Sequence, residues 1–353
     1  MIQNNYCKFY LARIFVVVLF VSLACNSPRA SRSPANPSPT TLSASQIRAT
    51  STVPAPTTLP EATKTPPPTP PATNTPLPPS PTVSPTATPT PSLRFAVIGD
   101  YGLAGQPEAD VAALIKSWEV DLIITTGDNN YPDGAAETID ENVGQYYHSY
   151  IAPYTGEYAQ GADENRFFPT LGNHDWTAPG AQPYLDYFTL PGNERYYDFV
   201  REPVHFFAID SDSREPDGVG RSSVQAQWLK EKLANSESIW KVVYMHQPPY
   251  SSSQDGSIAW AQWPYKEWGA SIVLAGHSHV YERIEVNGFP YIINGLGGGP
   301  IYGFDEPISG SQVRFNADYG AMLVEATTEL ITFQFITRAG QVVDTYTLQA
   351  GGS

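Results

Sequence analysis

Proline is concentrated in one part of this chain, and this limits where a folded domain can lie. Of the 34 prolines among 353 residues, 19 fall between positions 26 and 92, interleaved with Thr, Ser and Ala. No stretch of this segment has a helical or strand-like hydrophobic period, so the sequence predicts a disordered linker over 26–92. The folded part is therefore expected at 93–353, as one large α/β domain.

The N-terminus has the pattern of an export signal. Lys8 and Arg13 precede an apolar run from Ile14 to Ala24, and Cys25 follows directly. A run of this length is too short to span a bilayer, which takes about 20 residues. Basic region, apolar region and small residues in this order predict a signal peptide over 1–25.

The end of this signal, at residues 22–25, resembles a bacterial lipoprotein signal, in which the cysteine becomes the lipidated first residue. The resemblance implies a lipid anchor on Cys25 that holds the protein on the membrane, and an extracellular or cell-surface location. The alternative is an ordinary secreted protein. Segment 26–92 is then a stalk of at most about 200 Å or a plain spacer.

Charge divides the chain in the same way. The whole chain carries a net charge of −15 and residues 1–92 carry +5, which leaves −20 for 93–353. Such acidity opposes binding to a nucleic-acid backbone, although bound cations can attract a small anionic substrate. The only cysteines are Cys7 and Cys25. Disulfides, thiol catalysis and thiolate metal sites are therefore excluded from 93–353.

The folded part alternates apolar runs with a helical segment at 111–118, and polar side chains follow five of the runs. The five runs are predicted strands at 93–98, 121–126, 167–171, 239–245 and 271–275. Ligands gather at the carboxyl ends of strands in α/β sheets, where glycine allows a sharp turn. The later segments 291–294, 321–326, 331–336 and 342–348 are predicted to form a second, mostly antiparallel sheet.

Metal-ligating residue types occupy these strand ends. Four of the six histidines lie there, together with two aspartates and an asparagine: Asp100, Asp128, Asn173, His174, His246, His277 and His279. Nitrogen and oxygen donors without sulfur suit Zn, Fe or Mn. A central carboxylate such as Asp128 can bridge two cations about 3.5 to 4 Å apart. The pattern therefore predicts a binuclear metal site.

Five segments resemble, in order, the motifs of the calcineurin-like metallophosphoesterases, and specifically of the purple acid phosphatases. They are Gly99-Asp100-Tyr101-Gly102, Gly127-Asp128-Asn129-Asn130-Tyr131, Gly172-Asn173-His174-Asp175, Val243-Tyr244-Met245-His246 and Gly276-His277-Ser278-His279. The resemblance implies a two-sheet β-sandwich flanked by helices. It also implies a phosphatase that hydrolyses small phosphomonoesters through a metal-bound hydroxide, with Fe(III) and a divalent Fe, Zn or Mn as cofactors.

The resemblance also implies the ligands. The first metal is expected at Asp100, Tyr131 and His279, and the second at Asn173, His246 and His277, with Asp128 bridging them. Many metallophosphoesterases have a histidine where this chain has Gly102, and Tyr131 is expected to replace it. The alternative for Tyr131 is a loop aromatic that packs beside Pro132.

His174 is expected to contact the phosphate or to protonate the leaving group, and Asp175 to orient it by accepting a hydrogen bond. The alternative for Asp175 is a helix N-cap. The glycine-rich segment 295–299 lacks the lysine and hydroxyl of a nucleotide-binding loop, so it is predicted to be a tight turn beside the site.

Two other functions stay open from the sequence. The first is a phosphodiesterase or nucleotidase of the same superfamily. The second is a non-catalytic surface lipoprotein whose metal site is structural.

Overall fold

The structure is a computed structural model that describes residues 93–351. The predicted signal peptide, Cys25 and the predicted linker 26–92 lie outside this range. Within it, no helix is long and apolar enough to cross a membrane. Thirteen strands in two sheets form the framework of 93–351.

The first sheet has six strands, with the parallel strands β1, β2 and β3 along one edge. Three antiparallel strands continue from the other side of β1, so that the order is β13-β12-β11-β1-β2-β3. Their bounds are β1 Leu93–Ile98, β2 Leu122–Thr125, β3 Phe167–Pro169, β11 Gly320–Ala326, β12 Leu330–Thr337 and β13 Val342–Gln349.

The second sheet has seven strands in the order β10-β8-β9-β7-β6-β5-β4. Strands β5, β6, β7 and β9 are parallel, whereas β4, β8 and β10 are antiparallel to their neighbours. The bounds are β4 Tyr197–Arg201, β5 Val204–Ala208, β6 Trp240–Tyr244, β7 Ile272–Ala275, β8 Tyr281–Val286, β9 Phe289–Asn294 and β10 Ser311–Phe315.

The predicted two-sheet sandwich is confirmed, but the predicted assignment of the later strands is wrong. Segments 320–326, 330–337 and 342–349 extend the first sheet, because β1 offers a free edge on which Leu93 pairs with Ala326. Segment 289–294 pairs in parallel with β7. An alternating apolar pattern identifies a strand but not its partner.

The main core lies between the two sheets. Phe95 of β1 meets Phe206 of β5 there, with ring centroids 5.0 Å apart. The next residue, Phe207, points to the other face of the second sheet because side chains alternate along a strand. There it joins a second apolar cluster that includes Leu229 of a covering helix.

Short helices flank the sheets. The helix α1 has Pro107 in its first turn and buries Val111 and Ile115, and it contacts β11. The Ser223 hydroxyl accepts a 3.1 Å hydrogen bond from Ala226 N and caps α4. The helices are α1 Gln106–Ser117, α2 Gln145–Tyr147, α3 Gln182–Tyr187, α4 Val224–Asn235 and α5 Tyr265–Trp268, with a π-helical turn Asp140–Gly144 and 3₁₀ turns at His148–Tyr150, Asp175–Thr177, Pro179–Ala181 and Ala259–Ala261.

Candidate metal centre

Three site residues follow a glycine at a strand end and adopt left-handed backbone conformations. Asp100, Asp128 and His277 have φ of 55°, 54° and 66°. Such angles cost on the order of 1–3 kcal/mol in a non-glycine residue, are commoner in Asp and His than in most residues, and are concentrated at functional sites. The sharp turns direct these side chains into the crevice at the carboxyl ends of the strands.

Backbone N–H groups from other loops hold the two aspartates. His277 N donates to Asp100 Oδ2 at 2.9 Å, and His174 N donates to Asp128 Oδ1 at 2.9 Å. Asp100 follows a strand of the first sheet and His277 follows a strand of the second. The bond between His277 N and Asp100 therefore joins loops from both sheets. Asp128 Oδ2 points to other donor atoms of the site.

The residues expected at the first metal meet in one cluster. The phenol oxygen of Tyr131 lies 3.0 Å from His279 Nε2 and 3.3 Å from Asp100 Oδ1. His279 Nε2 is 3.3 Å from the same oxygen of Asp100. All three side chains are buried, and the hydroxyl of Tyr131 points at the other two predicted ligands.

The residues expected at the second metal meet in another cluster. Asn173 Oδ1 lies 2.9 Å from His246 Nε2 and 2.8 Å from His277 Nδ1. The two histidine nitrogens are 3.2 Å apart. Burial, and next the neighbouring His246, lower the pKa of His277, which favours the neutral ring that a metal ligand requires.

Asp128 connects the two clusters. Its Oδ2 accepts a 3.0 Å hydrogen bond from the Tyr131 phenol and lies 3.3 Å from His246 Nε2. Burial by itself raises the pKa of Asp128, but His246 and then His174 outweigh it, so that the pKa is well below its usual value. Asp128 is therefore an ionised carboxylate.

The donor set fits two metal ions. Donors bonded to one ion at about 2.1 Å lie roughly 3 to 3.5 Å from one another, and the contacts within each cluster, at 2.8 to 3.3 Å, are close to this length. Every donor is oxygen or nitrogen, which suits iron, zinc or manganese. The structure thus brings all seven predicted ligands together, and their coordination of metal stays a prediction.

The structure explains why position 102 has no histidine. A Cβ on Gly102 would lie 1.9 Å from the backbone oxygen of Asn129. No side chain fits in that space unless the backbone moves. Tyr131 reaches the same cluster from the following loop.

Backbone carbonyls hold the second nitrogen of two of the histidines. His246 Nδ1 lies 2.8 Å from Thr126 O, and His279 Nδ1 contacts Pro300 O. Such contacts orient a ligating ring and fix its tautomer. Nothing in the sequence marks Thr126 and Pro300 as site residues, because every residue has a carbonyl and no side-chain pattern distinguishes these two.

The expected hydrogen bond between His174 and Asp175 is absent. His174 Nδ1 contacts Pro132 O, whereas the buried Asp175 accepts from Gly172 N at 2.8 Å and from Asn129 Nδ2 at 2.8 Å. Asp175 is also not the N-cap, because it is the first residue of its 3₁₀ turn. Its carboxylate binds the turn that precedes it and therefore cannot reach the His174 ring.

His174 lies at the mouth of the site. Its Nε2 is 4.0 Å from Asp128 Oδ2, and its side chain is 34% exposed. It therefore lies beside Asp128, which connects the two donor clusters, while staying accessible to a substrate. Its role as a catalytic residue stays a prediction.

The glycine-rich segment 295–299 lies beside the site, as predicted. A Cβ on Gly295 would come within 2.7 Å of Asp100 Oδ2, and one on Gly299 within 2.9 Å of the His279 ring. The glycines therefore allow close packing against two predicted ligands.

Two acid phosphatases are similar to this chain in sequence. A purple acid phosphatase from Glycine max is 25% identical over 228 residues, which cover 57% of this chain and 46% of that protein. Tartrate-resistant acid phosphatase type 5 from Mus musculus is 22% identical over 245 residues, which cover 58% and 72%. This chain thus spans about half the length of the soybean relative.

Solved structures share the fold. The purple acid phosphatase PPD1 from Lupinus luteus seeds has a TM-score of 0.58 at 19% identity, covering 74% of this chain and 55% of that one. GAP50, the anchor in the inner membrane complex of Plasmodium, has a TM-score of 0.57 at 21% identity, covering 74% and 90%. At these identities the likeness concerns the fold alone.

A sequence model of one protein family matches the first part of the folded region. The model for calcineurin-like phosphoesterases matches residues 93–281, more than half of the chain. This range contains all five strand-end motifs and both donor clusters. The chain therefore belongs to the calcineurin-like phosphoesterase family.

Proposed function

We propose that this protein is a binuclear-metal phosphatase that hydrolyses phosphomonoesters. The observation that carries the proposal is the position of Asp128 Oδ2, which lies 3.0 Å from the Tyr131 phenol oxygen and 3.3 Å from His246 Nε2. One carboxylate oxygen therefore serves both donor clusters. The family membership and the acid phosphatase relatives support the same reaction class.

The residues divide into two ligand sets in this proposal. Asp100, Tyr131 and His279 hold the first ion, Asn173, His246 and His277 hold the second, and Asp128 is shared. The phenolate of Tyr131 favours Fe(III) in the first position, and the second takes a divalent Fe, Zn or Mn. When bound, the two ions supply the positive charge that stabilises the phosphoryl oxygens and lowers the pKa of an attacking water.

His174 supplies the proton for the leaving group. Its Nδ1–H is directed at the Pro132 carbonyl, so Nε2 is the nitrogen that exchanges a proton with substrate. The protonated ring donates from Nε2 to the leaving oxygen, which then departs as an alcohol.

The substrate class separates this proposal from its competitors. A phosphodiesterase or nucleotidase would use the same ligands and differ in the preferred ester, whereas a surface metal-binding protein would bind metal without turnover. The accessible His174 beside a complete ligand set favours catalysis over a structural site. We also place the enzyme outside the cell, with Cys25 as a lipid anchor.

Asp128→Asn in the purified protein tests the proposal. The substitution keeps the side-chain volume but removes the shared charge, so we expect a lower metal content and a loss of p-nitrophenyl phosphate turnover. The matched control is Asp344→Asn. Asp344 is also a buried carboxylate, but it lies away from the site, and the distance from its Oδ2 to Arg283 Nε is 2.7 Å.

Metal content is measured for both variants and for the unmodified chain. Turnover of a panel of monoesters, diesters and nucleotides is measured for the same three proteins. Two ions per chain and a preference for monoesters support the proposal. Two ions retained with full turnover in Asp128→Asn would contradict the bridging role. Faster turnover of diesters would move the assignment to a phosphodiesterase.

A further inference from the structure

Arg214 lies on the loop that follows β5 in the second sheet, and a buried carboxylate fixes its orientation. Its Nε donates to Asp212 Oδ1 at 2.7 Å, and its Nη2 donates to Asp212 Oδ2 at 2.9 Å. Asp212 is only 4% exposed. The guanidinium is therefore held in a bidentate arrangement, although the Arg214 side chain itself is 45% exposed.

The other donors of Arg214 reach the turn that carries His174. Nη2 donates to Asn173 O at 2.9 Å, and Nη1 donates to Trp176 O at 2.9 Å. These two carbonyls lie on either side of His174 and Asp175 in the chain. One rigid group thus holds both ends of the turn.

This contact matters because Asn173 comes from the opposite sheet to its partners. Asn173 follows β3 of the first sheet, whereas His246 and His277 follow β6 and β7 of the second. The second donor cluster therefore forms only if the turn is held against the second sheet. The Thr177 hydroxyl also donates to Asn173 O, at 3.2 Å, but Thr177 belongs to the loop of the first sheet. Trp176 Nε1 donates to Asp210 Oδ2 at 2.7 Å and ties the far end of the turn to the second sheet, whereas Arg214 also holds the Asn173 end.

We propose that Arg214, oriented by Asp212, is a positioning residue that sets the affinity of the second metal site. It ties the Asn173 turn to the second sheet and so keeps Asn173 Oδ1 beside His246 Nε2. The inference rests on the proposed two-metal function and assigns Arg214 no contact with the reacting atoms. Loss of a group that orients a metal ligand typically weakens metal affinity 10- to 100-fold.

Arg214→Ala, Arg214→Lys and a matched control test the proposal. The control is Arg283→Ala, which removes another arginine that joins the sheets, since Arg283 of β8 pairs with Asp344 of β13. Metal-stripped proteins are titrated with Zn²⁺, and both dissociation constants are obtained together with metal analysis. This measurement does not depend on turnover.

We expect Arg214→Ala to weaken one of the two Zn²⁺ sites by about 10- to 100-fold while the other changes less than about threefold. Lysine should not restore the affinity, because one ammonium group cannot span a carboxylate and two carbonyls. Arg283→Ala should leave both sites unchanged. If Arg214→Ala does not fold, Asp212→Asn keeps the side-chain volume and should weaken the same site.

Unchanged affinity of both sites in Arg214→Ala would overturn the inference. Equal weakening of both sites, or the same effect from Arg283→Ala, would overturn it too, because either result indicates general loosening of the sandwich. If metal analysis of the unmodified protein as purified gave fewer than two ions of iron, zinc or manganese in total per chain, the proposed function would fail instead.

Discussion

The phenol of Tyr131 donates a 3.0 Å hydrogen bond to the buried carboxylate of Asp128. Burial, and then the charges of Asp128 and Asp100, raise the pKa of Tyr131 well above its ordinary value. The phenol is therefore protonated in the metal-free protein. Only a strongly charged cation in the first cluster can stabilise its phenolate.

We expect the iron-loaded, aerobically purified protein to be purple to pink, because phenolate bound to ferric iron has a low-energy charge-transfer band. Tyr131→Phe should remove the band while Asp100, Asp128 and His279 retain some iron. Visible absorption and iron analysis on the same samples check this. Tyr302→Phe is the control, because Tyr302 stacks on His279 with ring centroids 4.0 Å apart. A colourless unmodified protein with a full complement of ferric iron would exclude the ligand assignment.

His174→Ala should retain both metals and lose roughly 10² to 10⁴ in rate, the usual effect of removing a general acid. The loss should be smaller for p-nitrophenyl phosphate than for an alkyl phosphate, because a good leaving group needs little protonation. Turnover across leaving groups of graded pKa measures the difference. His205→Ala is the control, since His205 lies within β5 of the second sheet and pairs there with Asp198 at 3.0 Å. An equal loss for all leaving groups would assign His174 to phosphate binding.

Glu108 should make stability fall as the pH rises. This residue of α1 is fully buried, and burial raises its pKa well above the ordinary value of 4.5, with Leu103 offsetting only part of the rise. The folded state therefore keeps a proton that the unfolded state releases above about pH 4.5. The contribution of Glu108 to the free energy of unfolding is complete below that pH. It is lost as the pH approaches the pKa of Glu108 in the folded state.

Glu108→Gln removes this titration. The free energy of unfolding of the unmodified protein, relative to the variant, should decrease by up to about 1.4 kcal/mol per pH unit between pH 5 and 7. Urea unfolding of the metal-loaded proteins measures it, with the exposed Glu137→Gln as control. A difference that does not change with pH would show that Glu108 is ionised in the folded state.

Cys25→Ser should move the protein from the membrane fraction to the soluble fraction of the producing cells, because the lipoprotein-like signal predicts that Cys25 carries the lipid. Phosphatase activity is assayed in the membrane fraction and in the soluble fraction after the cells are fractionated. Cys7→Ser, which changes the other cysteine, should leave the distribution unchanged. If Cys25→Ser also leaves it unchanged, the result favours an ordinary secretory signal or a membrane span over a lipid anchor.

The sequence by itself determined the strands that carry the site and the types of donor at their ends. Glycine before Asp100, Asp128 and His277 marks positions where the chain turns sharply, and this signal depends only on neighbours along the chain. The order of the motifs then led to the family and the two-sheet fold. All these features are local, so they are readable without knowing which strands pair.

Tertiary structure decided which distant residues meet. Pairing of Leu93 with Ala326 places the last three strands on the first sheet, and the contact of Arg214 with Asn173 joins loops that are 41 residues apart. The carbonyl of Pro132, rather than the carboxylate of Asp175, contacts His174, because Asp175 is engaged by Gly172 and Asn129. Such contacts depend on the packing of two sheets and on backbone groups that every residue possesses, so no local pattern in the sequence specifies them.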